Sequence, residues 1–599
     1  MFMKDSFFVS SAIDYPSAPP HAGHMYEKIC CDVFARWNRL QGKKVHFSTG
    51  LDCHGSKIAR CAKETNKTPE EFVKTIEKFF LQLCKEYNIS YDDFIETIEK
   101  RHKKVVVKMI KNLYKKGDIY KGKYSGYYCS DCETYFPKEE LNGIYCPTHN
   151  KPTEFLEEEA YFFKMSKYQN KLIEHIKNNP NFIRPEKKKN EILNRLKKPL
   201  HDFCLTREKI AWGIPFPLDK KYIVSIWTDA LINYLTTINY PNKKFKEFWP
   251  ALHIIGTDIV WHHTVIWGTW LLASNIKLPE VLVHGFIISP TGEKMSKTQG
   301  NVVNPSELAK KYQIDSIRYY LIREIPFGED GNFTEKKLIE RHNNELANDL
   351  GNLLQRIIIL VQKQKRIEPQ KIDKNLFEKL DLEQIKKEMS NYELHNALST
   401  IWKFINECNR YINENKPWEK EDPKPVLYNL LEAIRIISIL LEPYMPETSK
   451  KIQKQLNIKE DINIKNCKPK RITYKPGQPE ILFKKIEIKK MEEKKQYCSY
   501  EDFQKLDIRT ATIRDVKDHP NADKLYILEL EPKRKIVAGI KEFYKKEELI
   551  NKQIIFISNL EPKTIKGIES QGMLLAAGDK NKCILLCPDK KTEDNLKIK

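Results

Sequence analysis

Phe7, Phe8 and Val9 begin an apolar run over residues 7–13 that reads as a buried strand. Pro16, Pro19 and Pro20 end it, and apolar residues recur at helical spacing from about 24 to 40. Residues 45–48 form a second short strand before Gly50. Strand, loop, helix and strand in this order predict a doubly wound parallel sheet that binds a nucleotide. Aromatic strands, clustered cysteines and lysine-rich segments interrupt the pattern between about 116 and 205. Strand-like runs at 223–226, 253–255 and 281–283 are expected to resume the sheet.

Further along, Leu346, Leu350, Leu353, Leu354 and Ile357 keep helical spacing, so 341–460 reads as a helical domain. Residues 461–497 are rich in Lys, Asn and Pro with weak periodicity, as expected of a linker. Short β-like runs at 554–557 and 583–586 with turn signals predict a small barrel. The pattern thus divides the chain into seven stretches: 1–115, first half of the sheet domain; 116–205, insertion; 206–285, second half; 286–340, a basic loop and the region after it; 341–460, helices; 461–497, linker; 498–599, barrel.

Composition narrows the function classes. The 599 residues are 41% hydrophobic and 11% aromatic, enough for several packed cores. Lys+Arg number 103 against 81 Asp+Glu, a net charge of +22 that favours an anionic partner such as nucleic acid. A lysine-rich composition alone gives the same excess, so charge is only suggestive. The N-terminal residues lack the apolar length and cleavage site of a signal peptide. No apolar run reaches the ~18 residues of a membrane span. Fourteen cysteines, scattered apart from one cluster, fit a reducing cytoplasm.

Two motifs carry phosphate chemistry. His21-Ala22-Gly23-His24 falls just after the first strand, at a helix start. A helix N-terminus offers unpaired N–H groups and a partial positive charge to a triphosphate. The imidazoles add donors, and Gly23 leaves room for an adenine ring. Alone, such a loop is as readily structural. Lys294-Met295-Ser296-Lys297-Thr298, bracketed by Gly292 and Gly300, brings two ammonium groups to a hinged loop that suits a leaving pyrophosphate; alone, it equally suits a solvated basic turn. Together and in this order they resemble the HIGH and KMSKS signatures of the class I aminoacyl-tRNA synthetases.

Within that class the chain most resembles the methionyl-tRNA synthetases. The resemblance runs through Ser10-Ser11-Ala12-Ile13-Asp14-Tyr15, Thr49-Gly50-Leu51-Asp52-Cys53-His54-Gly55, residues 227–234 and residues 256–263. It implies a Rossmann-type catalytic domain with a zinc-knuckle insertion, a helical anticodon-binding domain and a C-terminal OB-fold. It implies methionine contacts by Ala12, Ile13, Tyr15, Asp52, Trp227, Ala230, Tyr234, Ile259 and His263. ATP contacts fall to His21, Gly23, His24, Arg207, Asp258, Lys294 and Lys297, with His21, His24, Lys294 and Lys297 catalytic and Mg²⁺ accompanying the ATP. The chemistry agrees: the apolar members suit a polarisable thioether, Tyr15 and His263 place a polar hydrogen near the sulfur, and Asp52 holds the α-ammonium. An insertion of about 90 residues looks too short for the hydrolytic editing domain that isoleucyl, valyl and leucyl enzymes need. Ala22, Thr257 and Thr298 depart from the family pattern; Thr257 replaces a frequent Lys, and Arg207 is expected to compensate in part.

Cys129-x₂-Cys132 and Cys146-x₂-His149 form two chelating pairs suited to one tetrahedral, structural Zn²⁺. Asn348, Asn352 and Trp418 match anticodon-reading segments of the family, where bases stack on an indole and amides read their edges. Residues 503–576 resemble the family's tRNA-binding OB module, which implies phosphate tracking and a homodimer. Two rivals stay open: a class I enzyme for another amino acid, and a non-catalytic tRNA-binding protein that kept the fold.

Overall fold

The computed structural model describes residues 5–129, 134–136, 138, 141–147, 150–208, 212–288, 303–458, 461–487, 499–579 and 582–598. Contacts divide the chain into two compact units, 1–488 and 489–599.

The first unit is built on a six-stranded sheet ordered β3-β2-β1-β11-β12-β7, all parallel. Its strands are β1 (Ser6–Ser11), β2 (Lys44–Leu51), β3 (Asp93–Glu96), β7 (Ile183–Arg184), β11 (Leu252–Gly256) and β12 (Glu280–His284). Val9, Phe47, Ile254 and Ile255 are fully buried, as expected where helices cover both faces of a parallel sheet. Helix α1 (Ala22–Leu40) follows β1, with α2 (Ser56–Glu64) and α3 (Pro69–Glu86) between β2 and β3, and α4 (Lys100–Lys115) after β3.

The insertion forms a four-stranded sheet, β5-β4-β6-β8, from β4 (Ile119–Cys129), β5 (Thr134–Phe136), β6 (Glu154–Phe163) and β8 (Phe203–Cys204). Helices α5 (Gln169–Asn178) and α6 (Glu186–Arg195) flank β7, so part of the 116–205 stretch completes the main sheet. One expectation is corrected. Residues 223–226 do not resume that sheet: β10 (Ile223–Val224) pairs antiparallel with β9 (Thr206–Arg207), and Ile226 starts helix α7 (Ile226–Leu231), followed by α8 (Asn233–Thr236). Two apolar residues in an aromatic context give no period that tells a sheet from a hairpin.

Leu346, Leu350, Leu353, Leu354 and Ile357 are wholly buried in the helical domain, among helices that include Leu394–Asn415 and Lys424–Leu441. The segment read as a linker is, over 461–487, packed onto these helices. Tyr474 and Ile367 exchange backbone hydrogen bonds of 2.9 and 3.0 Å. The buried Glu432 carboxylate accepts from Lys470 N–H at 2.7 Å and from the Tyr474 hydroxyl. Leu482 and Phe483 are also buried, and the Phe483 ring lies 5.7 Å from that of His342. The four apolar anchors, Cys467, Tyr474, Leu482 and Phe483, are too irregularly spaced to make a periodic signal.

The second unit is a nearly closed antiparallel barrel, as its short alternating runs predict. Its main sheet orders Arg534–Ala538, Tyr526–Glu531, Ile508–Asp518, Gln553–Ile557 and Met573–Leu574, with a bulge between Ile513 and Asp515 that tightens the curl. The chain end returns along the long strand, Thr510 N–H to Leu596 C=O at 3.0 Å and Ile598 N–H to Ile508 C=O at 2.8 Å. Among the described residues, no helix is long and apolar enough to cross a membrane.

Candidate active site

From β1 the chain steps outward through β2 to β3, then returns on the other side as β11 and β12. The order therefore reverses between β1 and β11, and ligands of doubly wound sheets bind beyond the strand ends at that crevice. Residues 12–15 leave β1 there, 52–55 leave β2, 256–259 leave β11, and α1 starts there.

The α1 N-terminus is closed by its own histidines. Gly23 N–H donates to His21 Nδ1 at 3.1 Å, and His21 N–H donates to His24 Nδ1 at 3.1 Å. The rings stack at 3.9 Å. Since each Nδ1 accepts, each neutral ring carries its proton on Nε2, which makes both Nε2–H groups donors. Burial, reinforced by His21, Lys28 and His284, holds the His24 pKa well below the ordinary value, so that ring is neutral. Gly23 has a local reason to be glycine: a Cβ there lies 2.9 Å from His21 Cε1 and displaces the cap.

One turn on, Lys28 and Glu27 point inward. The buried Lys28 ammonium pairs with the Asp14 carboxylate, and this attraction outweighs the burial that acts against its charge. Asp14 also joins two strand ends, through Asp14 N–H to Gly50 C=O and Asp52 N–H to Asp14 C=O, both 2.8 Å. Glu27 Oε2 meets His284 Nε2 at 3.0 Å, and its buried Oε1 has no hydrogen-bond partner. Burial disfavours the charged His284 ring, but the Glu27 carboxylate and the Gly285 carbonyl at 2.7 Å raise its pKa. Gly256 makes room for Asp258, whose Oδ1 lies 2.8 Å from where a Cβ would stand. Thr257 donates to the His284 carbonyl at 3.0 Å.

On the other side, α7 carries Trp227 and Ala230, and α8 carries Tyr234. Trp227 stacks on His262 with ring centroids 3.5 Å apart and planes at 14°. Ala12, Tyr234 and Ile259 share one apolar cluster, while Tyr15 joins a second with Leu51, Cys53 and Trp212. Ile13 is half-buried and Asp52 is buried. His263 Nδ1 lies 3.0 Å from the Ile259 carbonyl, and its Nε2 lies 2.7 Å from the Tyr234 hydroxyl. The ring's hydrogen is thus directed at the carbonyl and the Tyr234 O–H at Nε2, unlike the sequence reading, which aimed it at the pocket. Burial brings the His263 pKa down to about 4.

Asp229, which sequence reasoning missed, ties the two walls together. Its carboxylate, 1% exposed, accepts from His54 Nδ1 at 2.6 Å and from His102 Nε2 at 2.8 Å. His54 stands two residues beyond Asp52, and Asp229 between Trp227 and Ala230. Burial pushes this carboxyl up, but the two histidines outweigh it and bring it down to about 2.

Arg207 is buried on β9, donates to the Thr206 carbonyl at 2.8 Å and lies over the Tyr128 ring at 5.6 Å. Lys294 and Lys297 fall outside the described residues, as do Cys132 and His149. Of the metal set, Cys129 and Cys146 are described and buried, and Asn150 N–H donates to Cys146 C=O at 2.9 Å. In the helical domain Asn348 and Asn352 are exposed, and Trp418 is 48% exposed. Arg356, which the sequence reading passed over, brings its guanidinium 5.3 Å from the Trp418 ring and donates to Asn413 Oδ1 at 2.8 Å. Its spacing of four residues from Asn352 was the available signal.

Comparison with known proteins agrees with this architecture. Residues 7–154 and 145–358 match the family model described as tRNA synthetases class I (M). Residues 373–520 match the anticodon-binding domain of tRNA ligases, and 508–595 a putative tRNA-binding domain. The methionine–tRNA ligase of Caldanaerobacter subterraneus subsp. tengcongensis is 41% identical, with 100% of each chain covered. That of Thermotoga maritima is 37% identical over 99% of this chain and 100% of its own. A solved structure of Mycobacterium tuberculosis methionyl-tRNA synthetase in complex with methionyl-adenylate superposes with a TM-score of 0.77 at 34% identity, covering 80% of this chain and 100% of that one. With its parallel-sheet catalytic body, helical domain and terminal barrel matched in order along the whole length, this chain belongs to the class I methionine–tRNA ligase family.

Proposed function

We propose that the protein activates L-methionine with ATP and transfers it to the 3′-terminal ribose of tRNA(Met), in the cytoplasm, for initiation and elongation. In the first step a methionine carboxylate oxygen bonds to the α-phosphorus of ATP, and the bond to the departing pyrophosphate breaks. In the second a ribose hydroxyl of the tRNA bonds to the acyl carbon, and AMP leaves. Catalysis is positioning and charge stabilisation. The observation that carries this reading is the pair of Nε2–H donors fixed at a helix N-terminus in the switch-point crevice, beside two walls tied by Asp229.

His21 and His24 hold phosphate oxygens as charge accumulates, with Lys294 and Lys297 on the leaving pyrophosphate and Gly23 beneath the nucleotide. Asp258 and the unsatisfied Glu27 oxygen suit ribose hydroxyls, since a buried acceptor without a partner is costly. Asp52 takes the α-ammonium; Ala12, Ile13, Tyr15, Trp227, Ala230, Tyr234, Ile259 and His263 enclose the side chain. Arg207 serves the reacting groups, and Mg²⁺ enters with ATP.

Cys129, Cys132, Cys146 and His149 would hold one structural Zn²⁺; the two buried thiols suit such a site. Asn348, Asn352 and Trp418, with Arg356, read the anticodon. The terminal barrel binds tRNA and pairs two chains, a reading supported by exposed Met573, Ile584 and Leu586.

The test is ATP–pyrophosphate exchange with each amino acid separately, on protein also analysed for zinc and for mass in solution. Exchange with methionine alone, near one zinc per chain and a dimer mass are expected. Exchange with another amino acid overturns the pocket; none with any, tRNA added, overturns the catalytic reading.

A further inference from the structure

Helix α4, Lys100–Lys115, carries no acidic residue. Lys100, Lys104, Lys108, Lys111 and Lys115 are exposed along one face, each about 4.5–6 Å of helix from the next. Among the described residues none of the five makes an ion pair. Other lysines of the same unit do, such as Lys74 with Glu96, Lys121 with Glu159 and Lys221 with Glu208. Tyr114, 46% exposed, stands between the last two lysines. The opposite face is fixed: His102, Val106, Met109, Ile110 and Leu113 are buried, and His102 is bonded to Asp229.

This arrangement is unfavourable for the helix itself. Like charges four apart repel at 100/104, 104/108 and 111/115. Lys100 and Lys103 place positive charge at the positive end of the macrodipole, and the N-cap residue Glu99 makes no cap bond and is engaged by Arg101. An external polyanion removes both penalties at once, and a row of ammonium groups with one exposed aromatic ring fits a phosphodiester backbone.

We infer that the lysine face of α4 binds the phosphate backbone of the tRNA substrate, outside the anticodon and barrel contacts. The inference rests on the tRNA-ligase reading for the identity of its ligand. It describes a sequence-independent electrostatic contact that raises the affinity for tRNA.

The test compares full-length protein with a variant carrying Lys→Gln at all five positions and a second carrying Lys→Arg. Aminoacylation is measured with a tRNA(Met) transcript between 50 and 200 mM salt, and methionine-dependent pyrophosphate exchange without tRNA. Expected for the Gln variant are unchanged exchange, a KM for tRNA raised at least about 10-fold, and a log–log salt slope reduced by about 0.7–0.9 per lost contact. The Arg variant stays near the parent. Intact exchange with unchanged tRNA KM and salt slope overturns the inference. A Gln variant that loses exchange while the Arg variant also fails on tRNA overturns it too, because the face then acts through the fold. Absence of exchange in the parent refutes the ligase reading alone; salt-dependent binding of the transcript by the parent and Gln proteins then decides the role of the helix.

Discussion

Asp229 holds the two walls of the candidate site together. It is ionised, buried and held by two imidazole N–H donors, so both oxygens are committed. His102 in turn meets the Thr236 hydroxyl at 3.0 Å on the helix that carries Tyr234. The chain of contacts joins the loop of Asp52 to the helices of Trp227 and Tyr234. Asp229→Asn keeps the shape but sets an amide N–H₂ against one of the two ring N–H groups. One hydrogen bond is lost and a buried donor is stranded, costing about 1–3 kcal/mol of stability. The expected kinetic effect is a KM for methionine raised about 10-fold, with kcat of exchange and KM for ATP within about 2-fold. Equal loss in kcat and no change in methionine KM would remove Asp229 from the positioning role. The family resemblance singles out Trp227 and Ala230, yet hides the residue between them, because His54 and His102 lie 175 and 127 positions away.

At the scale of the element, periodicity and caps recover whatever is local. Helix α1, its preceding loop and the buried leucines of the helical domain follow from spacing alone. What escapes is register and partnership. The strand at 223–224 pairs with a hairpin partner, and the 461–487 segment is tied down through Glu432 and four scattered anchors. The proposed anticodon surface shows the same limit. Asn352 and Arg356 fall one helical turn apart, but only the fold brings Trp418 to the guanidinium. A planar cation beside an exposed indole suits unstacked bases, and removing such a stack costs roughly 1–3 kcal/mol per base. Trp418→Ala and Arg356→Gln are each expected to raise the KM for tRNA about 10-fold or more, with methionine-dependent exchange unaltered. Their double variant should show less than additive loss, since the two groups touch. Wild-type tRNA kinetics in both single variants would place the anticodon elsewhere.

For the whole molecule, the fold class and the family are legible from short motifs and alternating patterns, whereas the electrostatic state of the core is not. His46, His253 and His263 are almost fully buried, and burial lowers the pKa of each, to about 4 for His46 and His263. Nε2 of His46 and of His253 has no hydrogen-bond partner, so a proton there would be an uncompensated buried charge. Well above pH ~6.5 the three rings are neutral in folded and unfolded chains alike, and pH has no hold on stability through them. Below it the unfolded chain takes up protons that the fold refuses. Stability therefore falls as pH drops from ~6.5 towards about 4, by up to roughly 1.4 kcal/mol per pH unit for each histidine. Asp229 adds its own loss only at lower pH, between the ordinary carboxyl value of 3.8 and about 2. Denaturant melts of the full chain between pH 7 and 4.5 should give a steep decline, and His46→Gln should reduce its slope by close to one proton. His46 packs against Phe8 and Phe248, away from the substrate residues, so the change should leave exchange activity at neutral pH intact. A decline between pH 6.5 and 4.5 that is the same in His46→Gln as in the parent would mean that this ring reaches water or a partner when protonated, and the closed core described for the sheet would have to open at β2.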